Sequence, residues 1–264
     1  MPALTRNRLL DTLNEGRPAL GMMVSFVRTP AIVRMVARAG FDFVNIDMEH
    51  SSLSWETIHD MVELARATGI TPIVRPYNYN GLTADRILDL GAMGLMIFDV
   101  RSRELVDDIR SYLQYPPAGI RGTTTHGAPT DYETADPDSM REHINQNTAL
   151  VIQIESREAV EDIDALLQGG GVDIVEVGRN DLSSAYGVPH QTRHPTVLKA
   201  IDTVIEAAQR HGCHPGTVVF DEEDARDMIG RGIRSLSFSS DRSMLNRGMR
   251  SGVSMLRSVI DELS

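Results

Sequence analysis

Eight short, mostly apolar runs recur along the chain, and between them lie stretches in which apolar residues return every three or four positions. The runs are Ala19–Ser25, Phe43–Asp47, Thr71–Arg75, Gly94–Phe98, Ala149–Ile154, Asp173–Val177, Cys213–Val218 and Arg234–Phe238. Runs apolar on both faces are what buried parallel strands require, and their alternation with helical patterns predicts successive βαβ units. Segments such as Trp55–Thr68 and Thr196–Arg210 each supply one buried helical stripe. Gly40, Gly69, Gly91, Gly212 and Gly232 fall where helices would close. At 264 residues the chain accommodates one such assembly, a single domain over 1–264, and not two. The expected fold is therefore α/β, a (β/α)₈ TIM barrel.

One stretch interrupts the rhythm. Tyr115 to about Asp138 carries four prolines, three glycines and several threonines between the fourth and fifth runs. A long ordered loop in a compact domain is often functional, so this one is expected at the active site. Composition narrows the ligand. A formal charge of −11 without basic clusters argues against a nucleic-acid partner and for a small molecule. The lone Cys213 excludes an internal disulfide or a thiolate zinc site, as suits a reducing cytoplasm. Met1–Leu10 lacks an apolar core of signal-peptide length, and no stretch approaches the roughly 20 apolar residues of a membrane span. A soluble cytoplasmic protein is expected.

In such a barrel the catalytic groups stand just past the C-terminal ends of the strands. Ionisable and polar residues collect there: Asp47, Glu49 and His50, then Arg75, Gln153, Glu155, Asn180 and Asp181. Glu155 and Asp181 follow neighbouring strands and suit a hard divalent cation such as Mg²⁺ or Mn²⁺. Each also precedes or opens a helix, so helix capping accounts for them equally well. His50 places an imidazole at the mouth, where a base near neutral pKa is useful, and Asp47 or Asp89 is the carboxylate to orient it. Arg75, followed by Pro76, can stabilise charge developing on a carbonyl oxygen or form a structural ion pair at the rim. Gly178–Asp181 offers backbone N–H groups at a helix start to a substrate carboxylate. Together these groups describe a 2-keto acid bound for enolisation.

Taken in order, Ile46-Asp47-Met48-Glu49-His50, Ile73-Val74-Arg75-Pro76, Leu88-Asp89-Leu90-Gly91, Tyr115-Pro116-Pro117-Ala118-Gly119-Ile120-Arg121-Gly122, Gln153-Ile154-Glu155-Ser156 and Val177-Gly178-Arg179-Asn180-Asp181-Leu182-Ser183 resemble a known pattern. It is that of the HpcH/HpaI class II pyruvate aldolases related to 4-hydroxy-2-oxo-heptane-1,7-dioate aldolase, and it runs from about residue 19 to 250. The resemblance implies Mg²⁺, Mn²⁺ or Co²⁺ on Glu155 and Asp181, with pyruvate chelating through its carboxylate and keto oxygens. Gln153, Gly178, Asn180 and Asp181 would bind the substrate. His50 would act as base through metal-bound water, Asp89 would raise its basicity, and Arg75 would stabilise the enolate. A homotrimer or homohexamer is implied too, with a C-terminal helix, Asp241–Leu263, packing on a neighbouring subunit.

The implied reaction cleaves a 4-hydroxy-2-keto acid to pyruvate and an aldehyde, or runs in reverse, and oxaloacetate decarboxylation shares the same enolate. Two other readings stay open. One is an acyl-CoA lyase of the same superfamily, for which no basic nucleotide site is evident; the other is a non-catalytic barrel that binds a keto acid. The chain departs from the pattern at Met48, where glycine is usual, at Arg179-Asn180, where Pro-Ala is usual, and at Thr123–Pro129, where an alanine-rich run is usual. His126 and Arg179 are thereby candidates to recognise a second carboxylate in the variable half of the substrate.

Overall fold

The computed structural model describes residues 4–264; residues 1–3, the start of the segment read for a targeting signal, lie outside the described residues. Its eight strands are β1 (Ala19–Val24), β2 (Phe43–Asp47), β3 (Thr71–Arg75), β4 (Gly94–Ile97), β5 (Ala149–Ile154), β6 (Ile174–Val177), β7 (His214–Val219) and β8 (Ser235–Ser240). All run parallel, each paired to the next, and β1 pairs with β8 to close the barrel, Ala19 lying opposite Ser235. These are the eight apolar runs of the sequence, three with the same ends and five displaced at an end by one or two residues.

The helices are α1 (Arg8–Asn14), α2 (Ala31–Ala39), α3 (Trp55–Thr68), α4 (Gly81–Asp89), α5 (Arg103–Leu113) and α6 (Pro137–Asn147). They continue as α7 (Arg157–Glu161), α8 (Ile163–Leu167), α9 (Arg179–Ala185), α10 (Pro195–Arg210), α11 (Glu222–Arg231) and α12 (Asp241–Leu263). Local chemistry sets several boundaries. The Ser54 hydroxyl accepts from the Thr57 N–H and starts α3, and Gly69, at a φ of 75° that a side chain would disfavour, ends it. Among the described residues, no helix is long and apolar enough to cross a membrane.

Helix α1 plugs the N-terminal end of the barrel. Its Leu9, Leu10 and Leu13 pack inside against Phe43, Ile73 and Val151. Asn7 anchors it by donating to the Met93 and Asn147 carbonyls at 2.9 and 3.0 Å. Toward the strand C-termini the interior turns polar. Asn45 donates to the Ser237 hydroxyl at 3.0 Å, and Gln153, Glu176 and Gly216 sit level across β5, β6 and β7. The Glu176 carboxyl occupies the space that a side chain at position 216 would need. Burial pushes this carboxyl up to about 8, against the positive fields of Arg179 and Arg75.

Topology corrects the reading of the Tyr115–Asp138 loop. Helix α5 runs from the C-terminal end of β4 back to the other face, so the connection from α5 towards β5 has to lie at the N-terminal end. It does: Arg66, in the last turn of α3, donates to the Asp131 carboxylate at 2.9 Å and to the Pro129 carbonyl at 3.4 Å, and Thr5 donates to Asp131 at 2.7 Å. Within the chain the loop is therefore across the barrel from the strand C-termini.

At the mouth, Asp241 ties the start of α12 to the loop after β1. One carboxylate oxygen accepts from Ser25 N–H at 3.1 Å, and the other from Phe26 and Val27 N–H at 3.0 and 2.7 Å. Asp241→Ala strands these donors and is expected to cost about 3 kcal/mol, read from urea denaturation. Glu176 makes stability pH-dependent with a defined sign. An unfolded glutamate ionises near ~4.3, whereas the folded one holds its proton up to about 8. Its contribution is complete below ~4.3 and is lost as pH rises toward the folded value. The stability of Glu176→Gln relative to wild type should thus rise steadily between about pH 5 and about pH 8; a pH-independent difference would rule out Glu176 as the titrating group.

Candidate active site

At the C-terminal ends of the strands a pocket of about 280 Å³ opens, lined by Glu49, His50, Arg75, Gln153, Glu155 and Asp181 among others. That size is at the low end of small-molecule sites, about 300–1,000 Å³. It suits a ligand of a few carbons.

Arg75 ends β3 directly opposite Asp47 of β2. Its Nε donates to Asp47 Oδ1 at 2.9 Å, Nη2 lies 2.9 Å from Oδ2, and Nη1 lies 3.1 Å from Glu49 Oε2. Burial opposes the charge on Arg75, but its bond to Asp47 and the fields of Asp47 and Glu49 outweigh that and hold it protonated. Asp47 also accepts the backbone N–H groups of Glu49 and His50, at 2.9 and 3.4 Å. With its oxygens so engaged, Asp47 fixes the Arg75 guanidinium and the turn after β2. The His50 imidazole is largely exposed, and its Nε2 lies 3.4 Å from Glu49 Oε1. Glu49, polar in sequence but assigned no role there, is thus the carboxylate beside both Arg75 and His50.

Glu155 is oriented from two directions. Oε1 accepts the Asp99 N–H at 3.0 Å from the loop after β4, and Oε2 accepts from the Gln153 amide. Neither Glu155 nor Asp181 caps a helix. Ser156 does so for α7, accepting from Ala159 N–H at 3.2 Å, and the cap residue of α9 is Gly178. Burial raises the Glu155 pKa, the fields of Asp181 and Glu49 add to this, and the bonds from Gln153 and Asp99 oppose it. Glu49, Glu155 and Asp181 thus face the mouth of this pocket, and Arg75 contacts the first of them. The two without that arginine, Glu155 and Asp181, are hard oxygen donors whose mutual repulsion a divalent cation would relieve. Among the described residues no group of three or more His, Cys, Asp or Glu side chains forms a ready-made cluster. A cation held here would draw its other ligands from water and substrate, which is usual for Mg²⁺.

The contribution of Gly178 differs from the one expected. Its N–H donates to the Ile154 carbonyl at 3.0 Å and so is spent within the barrel. What it offers is the absence of a side chain, since a Cβ there would lie 2.7 Å from Glu155 Oε2 and 3.0 Å from Gln153 Nε2. The N–H groups of Arg179, Asn180 and Asp181, in the first turn of α9, lack intrahelical acceptors.

Three expectations are not met within the chain. Asp89 ends α4, which runs away from the mouth, so it lies at the far end of the barrel, where its partner is Arg121 at 3.3 Å, and not beside His50. His126 belongs to the loop at that same end, its Nδ1 3.2 Å from the Thr125 hydroxyl. Arg179 does line the pocket, but its guanidinium is buried and grips Asp224 of α11 at 2.8 and 2.7 Å, which leaves no free charge for a second substrate carboxylate. Glu176, to which the sequence pattern assigns no role, also lines the pocket. Its signal was available, a carboxylate inside the otherwise apolar run Ile174–Val177.

Comparison with known proteins shows the family. The sequence pattern of the family described as HpcH/HpaI aldolase/citrate lyase matches residues 21–246. A 4-hydroxy-2-oxo-heptane-1,7-dioate aldolase of Salmonella arizonae is 30% identical over 243 residues, 92% of either chain. The crystal structure of an HpcH/HpaI aldolase from Desulfitobacterium hafniense DCB-2 superposes with a TM-score of 0.91 at 32% identity, covering 97% of both chains. That of the citrate synthase SbnG does so with a TM-score of 0.85 at 28% identity, over 96% of this chain and 99% of its own. With an eight-stranded barrel whose mouth carries this carboxylate and arginine constellation, the chain belongs to the HpcH/HpaI aldolase/citrate lyase family and is an enzyme of the aldolase and lyase kind.

Proposed function

We propose that the enzyme is a divalent-metal-dependent pyruvate aldolase that cleaves or forms the C3–C4 bond of a 4-hydroxy-2-keto acid through the enolate of pyruvate. Oxaloacetate decarboxylation would draw on the same enolate. The observation that carries the reading is Arg75, locked by Asp47 and Glu49 at the edge of a small pocket whose other wall presents Glu155 and Asp181. Held by those two carboxylates, Mg²⁺, Mn²⁺ or Co²⁺ would supply Lewis-acid stabilisation of charge on the substrate's keto oxygen.

The chain's own residues do the rest. Arg75 donates from Nε to Asp47 and sets its two Nη atoms 2.9 Å from Asp47 and 3.1 Å from Glu49, and its remaining N–H groups can meet an oxygen on which charge develops. Asn180 and the first-turn N–H groups of α9 orient the substrate carboxylate, and Gly178 leaves room for its close approach. In the cleavage direction, the His50 imidazole takes the proton of the C4 hydroxyl, the C3–C4 bond breaks, and the aldehyde leaves. The O–H electron pair forms the aldehyde carbonyl, and the C3–C4 pair becomes the C2=C3 bond of the enolate. Glu49, beside the His50 ring, stabilises the imidazolium that results. The Salmonella relative, by its name, acts on a 4-hydroxy-2-keto diacid, which supports this substrate class here.

The enzyme is further proposed to act as a homotrimer or homohexamer in the cytoplasm. Helix α12 exposes Met249, Val253, Leu256 and Ile260 along its length, an apolar stripe suited to a second copy of the chain.

Proton–deuterium exchange at the pyruvate methyl group, followed by NMR, tests enolate formation without knowledge of the aldehyde. Exchange should require Mg²⁺, Mn²⁺ or Co²⁺ and vanish with chelator or with Glu155→Ala; wild-type enzyme inert with every metal would sink the reading. Arg75→Ala should lower kcat/KM by about 10²–10³, with pyruvate binding much less affected. Sedimentation velocity should give the mass of three or six chains, and Leu256→Glu should reduce it; a monomeric wild type would refute the assembly.

A further inference from the structure

The other buried carboxylates of this barrel meet an arginine or, as Asp241 does, backbone N–H groups, whereas one oxygen of Glu176 meets neither. Asp47 is paired with Arg75, and Asp224 with Arg179, both through two-point contacts. Glu176 feels the fields of both guanidiniums, yet each is already committed elsewhere. Its Oε1 is buried and has no hydrogen-bond partner among the described residues. A carboxylate in that condition is costly; a neutral carboxylic acid is less so. Since burial holds its pKa up to about 8, Glu176 carries a proton at neutral pH.

Its position gives that proton a destination. Strand residues two apart share a face, so Glu176 points into the barrel one level below Gly178, about 6.6 Å down the strand. Gly178 is the bare position over which the Glu155 carboxylate and the Gln153 amide lie. Gly216, across the β6–β7 pair, leaves the room in which the Glu176 carboxyl sits. Among the residues lining the pocket, the negatively charged or readily ionised ones, Glu49, His50, Glu155 and Asp181, follow the strands, whereas Glu176 comes from within one and forms part of the floor. A ligand seated beside Glu155 and over Gly178 has its inner end turned toward this acid.

We propose that Glu176 is the acid that protonates C3 of the pyruvate enolate after cleavage and that, in the condensation direction, its ionised form is the base that removes a methyl proton from pyruvate. The inference rests on the aldolase reading above. In the protonation step the C2=C3 electron pair takes the proton of the Glu176 carboxyl and forms the C3–H bond. The O–H electron pair stays on the carboxylate, the C2–O bond becomes a carbonyl, and pyruvate leaves. Solvent then returns a proton to Glu176 through the pocket mouth. This assignment separates the two proton transfers of the cycle, with His50 at the rim serving the C4 hydroxyl and Glu176 on the floor serving C3. It also explains why the second acid is not another exposed histidine: a proton delivered to carbon from the closed end of the barrel does not compete with the aldehyde leaving through the open end.

The test is the rate of methyl exchange of pyruvate in D₂O with Mn²⁺-loaded or Mg²⁺-loaded full-length enzyme, measured beside the pyruvate Kd from calorimetry. Glu176→Gln keeps the shape of the floor and removes the acid; Glu176→Asp keeps the acid and shortens it. Expected are a fall in exchange of about 100-fold or more in Glu176→Gln, partial recovery in Glu176→Asp, and a pyruvate Kd within about threefold of wild type in both. Exchange in Glu176→Gln within a factor of about two of wild type overturns the assignment and leaves the aldolase reading standing. Loss of exchange together with loss of pyruvate binding overturns it as well, because the floor then serves binding alone. Wild-type enzyme that fails to exchange with any metal removes the enolate reading itself, and this inference with it.

Discussion

Closure of the sheet by the parallel pairing of β1 with β8 is the constraint on which the rest of the molecule depends. A closed parallel barrel has no free edge, and it sends every strand's C-terminus to the same end. Residues as distant in the chain as Asp47, Glu155 and Asp181 therefore meet at one mouth without any contact dedicated to bringing them together. Each strand need only end in the right residue. The same geometry sends every helix-to-strand connection to the opposite end, which is why Asp89 and the Tyr115–Asp138 loop lie with α1 and Arg66 and not with the pocket.

Within that frame, the pairing of charges decides which groups are available for chemistry. Asp47 and Asp224 each hold one arginine in a rigid two-point grip, and those arginines are thereby removed as general counter-ions. Arg75 keeps donors to spare because it stands at the end of its strand; Arg179 is enclosed between Asp224 and the Val218 carbonyl and keeps its role to the wall. The carboxylates left without a cation fall into two kinds. Glu155 and Asp181 reach the mouth, where water and a metal ion can meet their charge, while Glu176 lies inside and meets the same need by holding a proton. One surplus of negative groups thus yields two chemical characters, separated by depth in the barrel.

Much of this was legible in the order of residues. The eight runs mark the strands because a parallel strand covered on both faces is largely apolar and short, and these runs alternate with helical stripes. The residues just beyond those runs, Arg75, Gln153, Glu155 and Asp181, could be named as a site from the barrel rule alone, and the structure gathers them round one pocket. The capping of α7 by Ser156 and not by Glu155 was beyond reach, since a carboxylate and a hydroxyl side by side both suit a helix start and only the turn geometry chooses between them. Pairings across the chain were equally hidden, because Arg179 and Asp224, or Arg121 and Asp89, carry no local mark of each other.

Periodicity and strand-end chemistry, both short-range properties carried by consecutive residues, were enough to establish the barrel and the contents of its mouth. Direction, depth and partnership are properties of space. Whether Asp89 faces the mouth depends on which way α4 runs, whether Arg179 is free depends on a helix 45 positions further on, and whether Glu176 is ionised depends on what surrounds it. These were decided only when the sheet closed, since burial and long-range charge contacts do not exist until the chain has folded around them.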